Sequence, residues 1–185
     1  MRKITFTFAI AASMFFMFSE LAATQTSGNV FFGYSYYSTN ISTIDRMNAN
    51  GWEASYEGRI LPYIGLVGDV SAHYGSENFP TVTCGVCTPT IFNANVSEEN
   101  FIAGPRFGVP IGKFRPFAQV LFGGAHVNTN GNGSDTSFAT AVGGGLDYRL
   151  LRIFAWRLQG DYIQTRFFSL TQNNGRISTG IVVRF

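Results

Sequence analysis

After residue 24 the chain has no segment with a convincing 3.6-residue hydrophobic period. Many segments instead alternate apolar and polar positions, as a strand does when its two faces meet different surroundings. The last segment is the clearest. Ile177, Thr179, Ile181, Val183 and Phe185 share one face, and Arg176, Ser178, Gly180, Val182 and Arg184 share the other. Phe154, Trp156, Leu158 and Tyr162 likewise oppose Arg157, Gln159 and Asp161. Phe138, Val142, Leu146 and Tyr148 oppose Ala139, Ala141, Gly143, Gly145, Asp147 and Arg149. Ile64, Leu66, Val70, Ala72 and Tyr74 oppose Asp69, Ser71 and His73. Trp52, Ala54 and Tyr56 oppose Glu53, Ser55 and Glu57, while Phe101, Ala103, Pro105 and Phe107 oppose Asn100, Gly104, Arg106 and Gly108. The pattern predicts eight strands, near 29–38, 50–59, 62–75, 97–108, 114–127, 137–149, 153–166 and 175–185. Several exceed the usual length of about 5–6 residues and suit the roughly 9–11 of a tilted strand crossing a bilayer.

The connections alternate too. Residues 60–61, 109–113 and 150–152 are short, whereas 39–49, 76–96, 128–136 and 167–174 are longer and rich in Asn, Ser, Thr and Gly. Short turns at one end and long loops at the other are the layout of an outer-membrane barrel. Alternation alone does not say which face is outside, because a soluble barrel turns its apolar face inward. Three features favour lipid outside. Gly104, Gly108, Gly143, Gly145, Ser178 and Gly180 lie on the polar face, where they leave room for long ionic side chains in a narrow eight-stranded interior. Aromatics tip the apolar face near the strand ends, with Trp52, Tyr74, Phe101, Phe138 and Tyr162 on the long-loop side. Phe107, Phe114, Tyr148, Phe154, Trp156 and Phe185 lie toward the short turns, which gives two interfacial girdles. The third feature is charge, which is only 13% of the residues, about half the usual share. The fold class is all-β: an eight-stranded antiparallel up-and-down transmembrane β-barrel. Closure lets every backbone group find a partner in hydrocarbon. A secreted lipocalin-like barrel with inverted faces is the alternative.

Composition excludes other classes. Aromatics are 16% of the 185 residues, which excludes disorder, and a net charge of +2 leaves no nucleic-acid footprint. The single long apolar stretch is at the N-terminus, so a polytopic helical membrane protein is excluded as well. There Arg2 and Lys3 precede the apolar run Ile4 to Phe18 and then Ser19-Glu20-Leu21-Ala22-Ala23, the three-part pattern of a secretory signal peptide. The run is shorter than the roughly 20 residues of a membrane anchor. The expected organisation is a signal peptide over 1–23 and an outer-membrane β-barrel domain over 24–185.

The C-terminal Phe185, with apolar Val183 and Ile181 at alternate positions behind it, looks like the recognition signature of outer-membrane assembly machinery. Phe101-Ile102-Ala103-Gly104-Pro105-Arg106-Phe107-Gly108, the stretch Arg115 to Ala125, and Gly143-Gly144-Gly145-Leu146-Asp147-Tyr148-Arg149 read like middle strands of one family. The chain resembles the small bacterial outer-membrane β-barrels of the OmpA transmembrane domain and OmpX, over roughly 28–185. The resemblance implies an outer-membrane location, contact with membrane lipids and assembly machinery, and a monomer. The peptidoglycan-binding domain of full OmpA proteins is not expected here.

The predicted inner face carries Glu53, Glu57, Arg59, Asp69, His73, Arg106, Arg115, Asp147, Arg149, Arg157, Asp161, Arg176 and Arg184. Buried charges persist only when paired and hydrogen-bonded, so an ionic network is expected, with Glu53, Glu57, Asp69, His73, Arg106, Asp147, Arg157 and Asp161 at its centre. The resemblance implies that such a network plugs the barrel and that its rearrangement opens a narrow water path. A wide porin would need about 16–18 strands. Small barrels also include lipid-modifying enzymes and omptin proteases. A serine hydrolase needs a nucleophile beside a base held by a third group. His73, with Ser71 and Asp69 on its face, has the spacing for such a contact but no mark of a triad, and His126 reads as an interfacial residue. Cys84 and Cys87 sit in the longest loop, where an exported setting favours a local disulfide over a zinc or thioredoxin-like site. Gly123-Gly124 and Gly143-Gly144-Gly145 lack the lysine and helix of a phosphate loop. No catalytic residue, metal or cofactor is assigned. The expected role is structural or surface-interacting, with loop 76–96 as contact surface for an extracellular ligand and no nucleic-acid partner. A narrow gated pore and a lipid-modifying enzyme are the alternatives.

Overall fold

A computed structural model describes residues 27–39, 47–83, 88–129, 133–167 and 170–185. The predicted signal peptide and the Cys84–Cys87 pair lie outside the described residues. The strands are β1 (Gly28–Thr39), β2 (Met47–Arg59), β3 (Ile64–Thr83), β4 (Thr88–Gly108), β5 (Phe114–Thr129), β6 (Gly133–Arg149), β7 (Phe154–Phe167) and β8 (Leu170–Arg184). Each pairs antiparallel with the next, and β1 pairs with β8 to close a barrel. All eight stand where the alternation places them.

Alternation also sets what each face meets. Phe32, Phe122, Val142, Leu158 and Ile177 point outward and are exposed, while Arg106, Arg157 and Arg176 point inward and are buried. That is the reverse of a soluble barrel. The seam between β1 and β8 depends on size. Gly33 pairs with Gly180, and a Cβ on Gly180 would stand 2.4 Å from the Gly33 Cα and 2.3 Å from the Phe32 carbonyl oxygen. Both strands approach too closely there for a side chain.

The short ends are tight turns. Leu61 N–H donates to the Ile64 carbonyl at 3.0 Å and Ile64 N–H to that of Leu61 at 3.2 Å. Ile111 and Phe114 exchange the same pair of bonds around Gly112, whose φ of 62° suits glycine.

The long connections differ from expectation. Most of 76–96, read from sequence as a loop, is hairpin: β3 runs to Thr83, β4 starts at Thr88, and Thr83 pairs with Thr88. Likewise β5 and β6 shorten 128–136, and β7 and β8 reach into 167–174. Their Asn, Ser, Thr and Gly content signals loop. An antiparallel ladder needs only backbone groups, and in water above the membrane neither face has to be apolar, so alternation fades before pairing does.

Candidate functional site

Inward positions from different strands meet at three levels. Nearest the short turns, Glu57 on β2 accepts from Arg115 through both guanidinium nitrogens, one of these bonds at 3.0 Å, and from Arg106 Nη1 at 3.2 Å. Arg157 holds Asp147 through Nε at 2.6 Å and Nη2 at 3.0 Å, a fork that matches a carboxylate's two oxygens. The Arg106 and Arg157 guanidinium groups lie over the Phe117 ring, at 4.3 and 4.7 Å from its centroid. This aromatic face helps to accommodate buried cations.

In the middle, Arg176 on β8 gathers three acids. It meets Asp69 at 2.8 Å and Asp161 at 2.8 Å, with Glu53 at 3.5 Å. Glutamines connect the levels. Gln119 Nε2 donates to Asp161 at 2.7 Å while its Oε1 accepts from Arg106, and Gln159 Nε2 donates to Glu53 at 2.9 Å and to Asp161 at 2.8 Å. Higher again, Tyr37 donates to Glu98 at 2.6 Å and accepts from Asn174 at 2.8 Å. Apolar side chains, among them Val96, Ile102, Leu121, Val127 and Ile163, fill the rest of this upper lumen.

All eight network residues named from sequence are buried inside the barrel. Seven of them join the ion pairs and hydrogen bonds above, and His73 reaches Glu53 only through the Ser35 and Ser178 hydroxyls. Its Nε2 lies 2.8 Å from Ser35 Oγ, and its ring stacks on Tyr37 with centroids 4.6 Å apart. Ser71, the same-face neighbour considered as a nucleophile, accepts from Arg176 at 3.1 Å instead. Ser35 and His73 form a hydroxyl–imidazole contact, but His73 Nδ1 has no hydrogen-bond partner and both residues are buried. Among the described residues no third group orients the ring, so these two do not form the triad arrangement. His126 lies on the outer side, 2.8 Å from Thr136 Oγ1. Ile181 and Val183 face outward, and Phe185 stacks against Tyr56 at the short-turn end.

Sequence reasoning missed Glu98, Ser35, Tyr37, Gln119, Asn174 and the inward apolar set. Glu98 was legible, because it lies in the predicted strand 97–108, two residues from inward Asn100. Tyr37 was not. In Tyr34-Ser35-Tyr36-Tyr37 the faces differ little in polarity, so parity has no contrast to use.

Above the barrel, β3 and β4 continue alone. Pairing of β2 with β3 ends at Asn50↔Tyr74, and that of β4 with β5 begins at Val96↔Thr129. Among the described residues, Gly75–Thr83 and Thr88–Asn95 therefore pair only with each other, a two-stranded ribbon of about 30 Å at the usual rise per residue.

The model of the outer membrane protein beta-barrel domain matches residues 8–185. The chain belongs to this outer-membrane β-barrel family. It is a bacterial outer-membrane protein, and the exposed apolar belt is its lipid-facing surface. Solved structures share the fold at low identity. Ail, the attachment invasion locus protein of Yersinia pestis, is 15% identical with a TM-score of 0.58, over 88% of this chain and 100% of Ail. Neisserial surface protein A is 12% identical with a TM-score of 0.67, over 87% of this chain and 100% of that one. Ail has also been solved with the heparin analogue sucrose octasulfate, at 17% identity, a TM-score of 0.58 and the same coverage of both chains. No curated protein sequence matches the chain.

Proposed function

We propose that this outer-membrane barrel has a structural and surface-interaction role, with a lumen closed by its ionic network and the β3–β4 hairpin as its contact surface. The observation that carries the reading is the ribbon Gly75–Thr83 with Thr88–Asn95, whose outer edges pair with no other strand among the described residues. Such edges offer backbone donors and acceptors to a partner strand. Pro80 and Pro89 each lack a donor, which limits uncontrolled edge pairing. Residues 1–23 direct export, and Ile181, Val183 and Phe185 form the assembly signal. A Cys84–Cys87 disulfide would pinch the hairpin tip.

Charge narrows the partner. Residues 76–96 contain one charged residue, Glu77, and no Lys or Arg. A sulfated ligand like the one in the Ail complex needs cations that this hairpin lacks. The hairpin suits an uncharged protein surface instead. Bacteria displaying the full chain should adhere to a panel of immobilised extracellular proteins equally at about 0.15 M and about 1 M salt, since little of the contact is screened. Replacing Ser76–Asn95 by a short turn should abolish that adhesion while the barrel still shows its heat-dependent gel shift. Unchanged adhesion after the deletion would remove the hairpin from the account.

No chemistry of its own is proposed for the barrel, and Ser35 and His73 are read as part of the lumen filling. The alternative of a narrow pore draws on the polar side chains that line the lumen from Glu57 to Glu98, which a rearrangement could turn into a water path.

A further inference from the structure

The short-turn mouth of the lumen, the periplasmic end of an outer-membrane barrel, holds a cluster of cations of which the closed-barrel reading uses only Arg115. A cavity of about 70 Å³ lies among the turns, lined by Arg59, Lys113, Arg115, Arg149 and Arg184. Five cations converge there. The two carboxylates just above, Glu57 and Asp147, are already shared among Arg106, Arg115, Arg157 and Arg184. Arg59, Lys113 and Arg149 enter no ion pair among the described residues. Among the described residues, Arg59 Nε and Arg184 Nε are buried without a hydrogen-bond partner, and Arg184 Nη2 reaches Asp147 only at 3.7 Å. Buried donors of this kind almost always have acceptors, and guanidinium forks match the oxygens of a tetrahedral anion. The cavity has room for about two waters' worth of volume, the scale of one such anion.

The surroundings add an apolar element. Leu61, Ile111, Leu150 and Leu151 on the three turns are exposed. A cationic pocket ringed by exposed apolar turn tips suits an anionic headgroup whose acyl chains lie alongside.

We propose that this pocket binds a phosphate group at the periplasmic face of the outer membrane. Two sources share that chemistry, a lipid headgroup and a soluble phosphate, and the apolar turns favour the lipid. The test uses the full folded chain in non-ionic detergent micelles, titrated in one arm with inorganic phosphate and in the other with short-chain phosphatidylglycerol. At least one probe should bind saturably, with affinity falling as ionic strength rises. The double variant R59Q/R149Q should weaken binding about tenfold or more, since charge-assisted contacts are lost. R166Q, at the extracellular end, should not change it. Lipid binding without phosphate binding assigns the headgroup, and phosphate binding that the lipid does not displace assigns a soluble ligand. Should the double variant fail to show its folded gel band, K113Q on the exposed turn takes its place, with a several-fold loss expected. Absence of saturation by both probes would overturn the proposal. So would wild-type affinity in a folded variant.

Discussion

Arg176→Met is expected to lower the unfolding free energy by about 3–5 kcal/mol, the usual cost of removing one partner from a buried ionic cluster. The reason is the local charge count. Among the described residues Arg176 is the one cation in contact with Asp69, Asp161 and Glu53, and all four residues are buried. Methionine fills a similar length but leaves three acids facing each other. The hydrogen bond from Arg176 to Ser71 is lost with them. Guanidinium unfolding in micelles, followed by the fluorescence of Trp52 and Trp156, measures the loss. Adding D69N and D161N to the same chain should recover part of it, because the repulsion is relieved although the bonds are not restored. A change below about 0.5 kcal/mol, the size of an ordinary surface substitution, would show that Arg176 is not the centre of the network.

Val142→Arg tests the outer face. Val142 is half exposed, near the middle of β6, between Val120 on β5 and Tyr162 on β7. On a soluble protein such a position would tolerate arginine within about 0.5 kcal/mol. In a bilayer the same change should cost about 2–4 kcal/mol, since the charge must sit in hydrocarbon or drag water toward it. Ser134→Arg, at the extracellular end of β6, should cost about 0–1 kcal/mol. The difference between the two sites, measured by unfolding from lipid vesicles, reports burial in the membrane rather than packing. Equal small costs at both sites would mean that the apolar face does not meet lipid.

Much of the barrel was legible because its two faces differ so sharply. Arg157, Gln159 and Asp161 alternate with Trp156, Leu158 and Tyr162, so one period assigned strand and face at once. The network was legible for the same reason, since long polar side chains at inward positions of a narrow barrel must meet. Which acid met which arginine was not. Asp161 lies 15 residues from Arg176 in the chain, but Asp69 lies 107 away and meets it across the lumen. That depends on strand tilt and register around the whole barrel, which local alternation does not encode. The inward apolar residues were hidden differently. Leu121 and Ile163 face the lumen beside outward Phe122 and Tyr162, so both faces read as greasy there. The hairpin was hidden because its water-exposed ladder keeps the pairing of a strand while losing its hydrophobic contrast.

Conductance of the purified full chain in planar bilayers tests closure of the lumen by side chains most directly. A lumen whose width is spanned by Arg106, Arg157, Arg176 and their acids predicts a silent membrane with the wild-type protein. Reproducible, stable current steps from folded wild-type protein would contradict it, and would make the barrel a pore.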